Sequence, residues 1–219
     1  NPVAAETAAR LVEKVRINPG NYVDKRASFE SSDLSEKEYN AELEKMVDTT
    51  DEWILSRTGI RERRILEPGL GNSYMAIRAA RDCLERAGVE AAEVDAIIVG
   101  TVTPDMFFPS TAALTQHKMG AKKCWGFDVA AACSGFSFSL SVGSQLVATG
   151  KHDCALVVGA DVMSSIIDYS DRTTCVLFGD GAGAVIVEPA VEDGLEIISF
   201  EHEIDGSGAP ALQMPAGGS

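Results

Sequence analysis

The stretch FDVAAACSGFSFSLSVG, residues 127–143, decides how this chain is read. A strand-like run meets Cys133, then small residues, then a helix-like run. Cys133 thus follows a strand and opens a helix. Backbone N–H groups at a helix start are unpaired and carry partial positive charge. A thiolate in such a place is stabilised. The flanking Ala130, Ala131, Ala132, Ser134 and Gly135 are small, which lets a substrate approach the sulfur and lets the chain turn tightly. From the residues alone, a nucleophile and an ordinary core thiol stay equally open.

Working outward, residues 46–219 alternate strand and helix patterns. SYMAIRAARDCLERAG is an amphipathic helix closed by Gly88, a good C-cap. VDAIIVGTV is a short apolar strand of the kind buried inside a parallel sheet. STAALTQHKMG reads as a helix, CWGFDVAAA as a strand, SGFSFSLSVGSQLVATG as a helix and CALVVGADV as a strand. TTCVLFGDGAGAVIVEP reads as two strands hinged at glycines, and LEIISFEHEID as one more. This alternation predicts an α/β fold, a mixed, mostly parallel sheet flanked by helices on both faces.

Before residue 46 the chain is charged. AAETAARLVEKV and SEKEYNAELEKMV, the latter starting at Ser35, have helical spacing, joined through a turn at Asn18-Pro19-Gly20.

The chain has 219 residues, 45% of them hydrophobic and 24% charged, with a net charge of -14. That balance excludes a nucleic-acid or anionic-membrane binder as the first expectation. No apolar run approaches the roughly 20 residues that span a bilayer. The first residues lack the basic start and apolar core of a signal peptide, so a cytoplasmic location is expected. Five cysteines (Cys83, Cys124, Cys133, Cys154 and Cys175) contain no C-x-x-C pair, which fits reduced thiols better than a disulfide frame or a zinc site. No metal is expected. Asn1 and the end at PALQMPAGGS lead to the expectation of a piece of something longer.

Five words occur in order: DTTDEWILSRTGIRERRI, FPSTAA, FDVAAACSGF, ALVVGADV and DRTTCVLFGDGAGA. From about residue 42 to 219 the chain resembles β-ketoacyl-acyl-carrier-protein synthase III, a thiolase-fold condensing enzyme of fatty acid synthesis. The resemblance implies a thiolase-like half-domain over residues 46–219, incomplete at both ends. It implies that Cys133 takes an acyl group from acyl-CoA such as acetyl-CoA, before decarboxylative condensation with malonyl-acyl carrier protein. The coenzyme A thioester is then a substrate, and no cofactor is implied. Trp53 and Arg172 match residues that sandwich the adenine of coenzyme A, and Thr49 and Arg57 match residues near its nucleotide and phosphates. Phe108 matches a phenylalanine that crosses a homodimer interface into the neighbour's acyl pocket. Phe178 and the GDGAGA loop match residues beside the nucleophile. That loop lacks the spacing of a phosphate-binding motif, and its glycines are expected to permit tight turning and close packing.

The family's carbonyl-binding histidine and asparagine, and most of its basic patch for acyl carrier protein, belong to a second half that this stretch does not match. None of His117, His152 and His202 sits in the family's histidine motif. Lys118, Lys122 and Lys123 read as a solvated face. The resemblance therefore implies slow acylation of Cys133 and no full condensation. Two alternatives stand beside it: another acyl-CoA condensing enzyme, of hydroxymethylglutaryl-CoA or polyketide type, and a catalytically dead thiolase-fold fragment.

Residues 1–45 read as a helical and loop segment from an unrelated enzyme. Their VRINPGNYVDKRA run resembles 4-hydroxy-3-methylbut-2-enyl diphosphate synthase, with Arg16 and Asn18 matching polar residues near its substrate phosphates. The chain is expected to be a hybrid. It lacks the first strand of the thiolase-like half-domain, and EKVRINPG is expected to slip into that empty place. A monomer so built is expected to be marginal, or to associate through an open apolar face.

Overall fold

The computed structural model describes residues 15–18, 35–190, 196–215 and 217. Its strands are β1 (Val15–Asn18), β2 (Ser35–Tyr39), β3 (Glu62–Leu66), β4 (Ala96–Gly100), β5 (Trp125–Val129), β6 (Ala155–Val162), β7 (Asp180–Pro189) and β8 (Glu196–Ile197). Its helices are α1 (Asn40–Leu43), α2 (Asp51–Thr58), α3 (Asn72–Ala87), α4 (Thr111–Met119), α5 (Gly135–Ala148) and α6 (Arg172–Cys175).

The apolar runs become the centre of a six-stranded sheet in the order β5-β4-β6-β7-β1-β8. Strand β4 pairs in parallel with β5 and β6, whereas β7 is antiparallel to β6 and to β1. Strands β5, β4, β6 and β1 therefore run one way and β7 and β8 the other. Side chains alternate between two cores. Ile97, Val99, Leu156, Val158 and Ile186 pack with Ala76, Ala80, Cys83 and Leu84 of α3. Ala96, Ile98, Ala155, Val157 and Val187 pack with Val147 of α5 on the other face. Burial on both faces is why these strands are continuous apolar runs.

Glycine sets how closely α5 can lie on the sheet. A Cβ on Gly143 would stand 2.8 Å from a methyl carbon of Val157. Helix α3 ends at Gly88, whose φ of 68° is the left-handed conformation expected of a C-cap. At the far side of the sheet, the strand Val15–Asn18 lies beside β7 in the register Val15↔Pro189 to Asn18↔Ile186. Within EKVRINPG, Val15–Asn18 thus forms a strand, and its place is between β7 and β8.

Three expectations need correction. The helix expected from Ser35 is not formed there: Ser35–Tyr39 pairs antiparallel with β3, from Ser35↔Leu66 to Tyr39↔Glu62, and only Asn40–Leu43 is helical. Pairing with an available strand overrides local helix preference. In TTCVLFGDGAGAVIVEP, the first strand is instead the end of α6, capped by Asp171, whose carboxylate accepts from the Thr173 amide at 2.9 Å. The strand expected over LEIISFEHEID shrinks to Glu196–Ile197. The helix expected over AAETAARLVEKV lies outside the described residues, apart from Val15, which opens β1.

A smaller cluster, Leu43, Ile54, Cys175 and Val176, joins α1 and α2 to α6. Phe107 and Phe108 are both 84% exposed, and Ile198 and Ile204 are exposed as well. No helix among the described residues is long and apolar enough to cross a membrane.

Candidate active site

The turn that carries Cys133 is short and tight. After β5, Ala132 adopts φ 46°, a left-handed conformation that an alanine holds at a cost of about 1–2 kcal/mol. Residues Ala132–Ser134 then form one 3-10 turn that runs into α5. The turn is held by the sheet beneath it. A Cβ on Gly100, the last residue of β4, would stand 2.5 Å from the carbonyl carbon of Gly135. Backbone therefore packs on backbone at the strand end, and the first turn of α5 is seated there. Local strain so held by its surroundings is a common mark of functional sites.

Cys133 opens onto a cavity of about 300 Å³. Gly100, Ala132, Phe136, Gly159 and Asp161 line it together with Gly179, Gly181 and Gly183. Asp161 ties the walls together. Its Oδ1 accepts from Thr101 Oγ1 at 3.0 Å, the Val102 amide at 2.9 Å, the Thr103 amide at 3.2 Å and Thr103 Oγ1 at 2.8 Å. Asn72, fully buried at the start of α3, donates to Thr101 Oγ1 and to the Ala160 carbonyl. The paired ends of β4 and β6 are thereby fixed beside the cavity.

The other four cysteines have a different setting. Cys83, Cys154 and Cys175 are buried and Cys124 is half-buried, whereas Cys133 is exposed. Burial, helped by the Asp82 carboxylate, pushes the Cys83 thiol up to about 11. Burial and then Asp95 do the same for Cys124, also to about 11. Cys154 rises to about 12, chiefly through burial and then Glu188. These three are inert core thiols near neutral pH.

Trp53 and Arg172 stand together. The Arg172 guanidinium carbon lies 4.7 Å from the centroid of the Trp53 ring. Trp53 is in the first turn of α2, which Thr50 caps through Oγ1 at 3.1 Å from the Trp53 amide. Arg172 opens α6, and hydrogen bonds from the Thr173 and Thr174 side chains hold the adjoining Asp171 carboxyl below its usual range. Arg57 is exposed four residues after Trp53, on the same side of α2. Thr49 is half-buried, and its Oγ1 has no hydrogen-bond partner.

Phe108 and Phe178 do not line the cavity. Phe108 stands out on an exposed loop, and Phe178 is half-buried just ahead of Gly179. His117 is exposed in the last turn of α4. His152 accepts a hydrogen bond from Trp125 Nε1 at 3.0 Å, and His202 packs edge-on against Phe138. None of the three lines the cavity. Among the described residues, no group of three or more His, Cys, Asp or Glu is placed to hold a metal ion.

Sequence reading missed Asp161, Phe136 and Gly159. The word ALVVGADV contains Asp161, and a carboxylate at the end of an otherwise apolar strand was the signal available for it.

The family model described as 3-Oxoacyl-[acyl-carrier-protein (ACP)] synthase III matches residues 127–206, the region of Cys133 and the glycine-lined cavity. A β-ketoacyl-[acyl-carrier-protein] synthase III of Koribacter versatilis is 56% identical over 182 residues, which is 82% of this chain and 54% of that protein. Over the matched residues the chain is similar to the β-ketoacyl-[acyl-carrier-protein] synthase III family. The synthase III of Solibacter usitatus is 58% identical, again over 82% of this chain and 55% of its own length. A solved 3-oxoacyl-(acyl carrier protein) synthase III from Pseudomonas aeruginosa superposes with a TM-score of 0.80 at 35% identity, covering 94% of this chain and 61% of that one. The chain thus spans about half the length of the curated synthase III proteins that it matches.

Proposed function

We propose that this chain performs the first half-reaction of a β-ketoacyl synthase III, transfer of an acyl group from acyl-CoA to Cys133. The observation that carries the reading is an exposed cysteine in the 3-10 turn that leads into α5, opening onto a cavity lined largely by glycine and alanine. The Cys133 sulfur attacks the thioester carbonyl carbon. A carbon–sulfur bond to Cys133 forms, the bond to the coenzyme A sulfur breaks, and the thiol proton of Cys133 ends on the departing thiol. Thioester is exchanged for thioester, so the step is close to isoenergetic and needs no oxidant.

Trp53, Arg172, Thr49 and Arg57 are the proposed coenzyme A contacts. An indole face beside a guanidinium plane suits a purine base, through stacking on both sides. Phe108 and Phe178 are proposed to bound the acyl group in the assembled enzyme, Phe108 from a partner copy. Condensation with malonyl-acyl carrier protein, and the homodimer, belong to the same proposal for the whole enzyme.

Incubation with radiolabelled acetyl-CoA, followed by peptide mass spectrometry, tests the first step. Label on Cys133, absent in Cys133→Ser and retained in Cys83→Ser, supports it. A protein whose Cys133 reacts with iodoacetamide but never takes the acetyl group is a catalytically dead fragment, and the proposal fails.

A further inference from the structure

The glycines of GDGAGA divide into two kinds. Gly179 is packed: a Cβ there would lie 3.0 Å from the Arg63 Cβ and 3.1 Å from the Arg64 carbonyl oxygen. Gly181 and Gly183 are not packed. A Cβ on either would meet nothing within 4 Å, and neither has a left-handed backbone. Of the tight turning and close packing expected of these glycines, close packing is found at Gly179 and not at Gly181 or Gly183.

Their place in the sheet makes this unusual. Gly100, Gly159 and Gly183 are consecutive partners across β4, β6 and β7, and Gly181 pairs with Asp161. The first two are accounted for by the fold. Gly100 must clear the Gly135 backbone, and Gly159 must clear the Phe136 side chain at 3.2 Å. Further along β7, Val185 and Val187 fill the same face against α5, while Ala182 and Ala184 face the other core. Strands favour β-branched residues in such places, and glycine inside a strand weakens it. At 181 and 183 the strand accepts that weakness without any contact that requires it.

Both residues line the cavity onto which Cys133 opens. We infer that Gly181 and Gly183 are specificity-determining residues, left without side chains so that the group carried on the Cys133 sulfur can lie along β7. They set the upper size of that group. The inference deepens the proposed acyl transfer and rests on it for the identity of the group as acyl.

The test measures the volume directly. Cys133 is alkylated with iodoacetamide and, separately, with N-phenylmaleimide, and peptide mass spectrometry follows the Cys133 adduct. The quantity read is the ratio of the bulky to the small reagent's rate. Gly183→Val and Gly181→Val are expected to fold with melting temperatures near that of the unsubstituted chain and to lower the ratio roughly tenfold, the scale of discrimination available from a steric pocket. Gly183→Ala is expected to give an intermediate ratio. Gly208→Ala, equally unobstructed but outside the cavity, keeps the original ratio.

An unchanged ratio in both valine variants overturns the inference. So does loss of folding in Gly183→Ala, because the added methyl would then be meeting protein. Acetyl-CoA labelling, run on the same samples, separates the two claims. A lowered ratio with no acetyl transfer keeps the size limit and removes the proposed activity. Acetyl transfer with an unchanged ratio does the reverse.

Discussion

The Arg63 guanidinium donates from Nε, at 3.1 Å, and from Nη2 to the carbonyl of Val176, 113 residues further along the chain. Its Nη1 donates to Asn40 Oδ1 at 2.9 Å, and Asn40 in turn donates to Asp51 and to the Ile60 carbonyl. Arg63 is 4% exposed. One buried side chain therefore ties β3 and α1 to the segment that runs from Arg172 to the glycines of the cavity. Asp180 adds a second tie, accepting from the Leu66 amide at 2.7 Å and from the Ser164 amide at 2.8 Å.

Arg63→Met is expected to destabilise the chain by about 2–3 kcal/mol, because it leaves the Val176 carbonyl and Asn40 Oδ1 buried without their donor. Arg63→Lys keeps a charge but not the paired donors, and falls between the two. Urea unfolding monitored by circular dichroism measures both. Equal midpoints for Arg63→Met and the unsubstituted chain would remove the tie from the account.

Gly100→Ala tests the seat of the nucleophile. The added methyl would stand 2.5 Å from the Gly135 carbonyl carbon and 2.8 Å from the Phe136 amide nitrogen. Both are backbone atoms at a helix start and cannot turn aside as a side chain can. A loss of about 2–3 kcal/mol is expected from overpacking, with a changed alkylation rate at Cys133. Gly208→Ala, where the methyl meets nothing and which lies outside the cavity, serves as the paired measurement.

How much of this was legible depends on where each signal lies. The strands Ala96–Gly100 and Ala155–Val162 were plain because burial on both faces leaves apolar runs in the sequence. The helix Asn72–Ala87 was plain because its buried positions recur at helical spacing and Gly88 closes it. Ser35–Tyr39 was not, since SEKEY is polar throughout and becomes a strand only by pairing with Glu62–Leu66. In the site, Cys133 was visible from its small neighbours. Asp161 was invisible as a hub because its donors, Thr101, Val102 and Thr103, lie about 60 residues away in sequence and meet it only when β4 and β6 pair. The two roles of glycine in GDGAGA were likewise hidden, because what a missing side chain leaves open is a property of the neighbours.

Three thiols make stability depend on pH with a definite sign. Cys83 and Cys124 rise from 9.0 to about 11, and Cys154 to about 12. In the unfolded chain these thiols ionise near pH 9, and in the folded protein they keep their protons until about pH 11–12. Between those values the unfolded state binds fewer protons, so stability falls as pH rises. The contribution is fully present below about pH 8.5. The urea midpoint is expected to be flat from pH 7 to 8 and to fall from pH 9 to 11. Cys154→Ala, lacking the most strongly raised thiol, is expected to fall less steeply over that window. A midpoint that rises with pH there would contradict the burial assigned to these residues.

The contact between Trp53 and Arg172 makes a demand on any ligand that binds between them. Their 4.7 Å separation leaves no room for an inserted ring, which needs about 7 Å, twice the contact distance of roughly 3.5 Å. Arg172 opens a four-residue helix and its side chain is exposed, whereas Trp53 is seated on α2 beside the buried Ile54. The arginine is therefore the partner that moves, and the indole is the fixed platform. Stacking of a base on an aromatic face is worth about 1–3 kcal/mol. Trp53→Ala is accordingly expected to lower the preference of Cys133 for acetyl-CoA over the acetyl thioester of N-acetylcysteamine, which has no base, by roughly 5- to 150-fold. Arg172→Ala removes one face of the proposed sandwich but also the contact that must open, so its loss is expected to be smaller than that of Trp53→Ala. Parallel single-turnover acylation with the two thioesters measures the ratio. A ratio unaffected by Trp53→Ala would show that the base binds elsewhere, and would leave the tryptophan and arginine as a surface pair only.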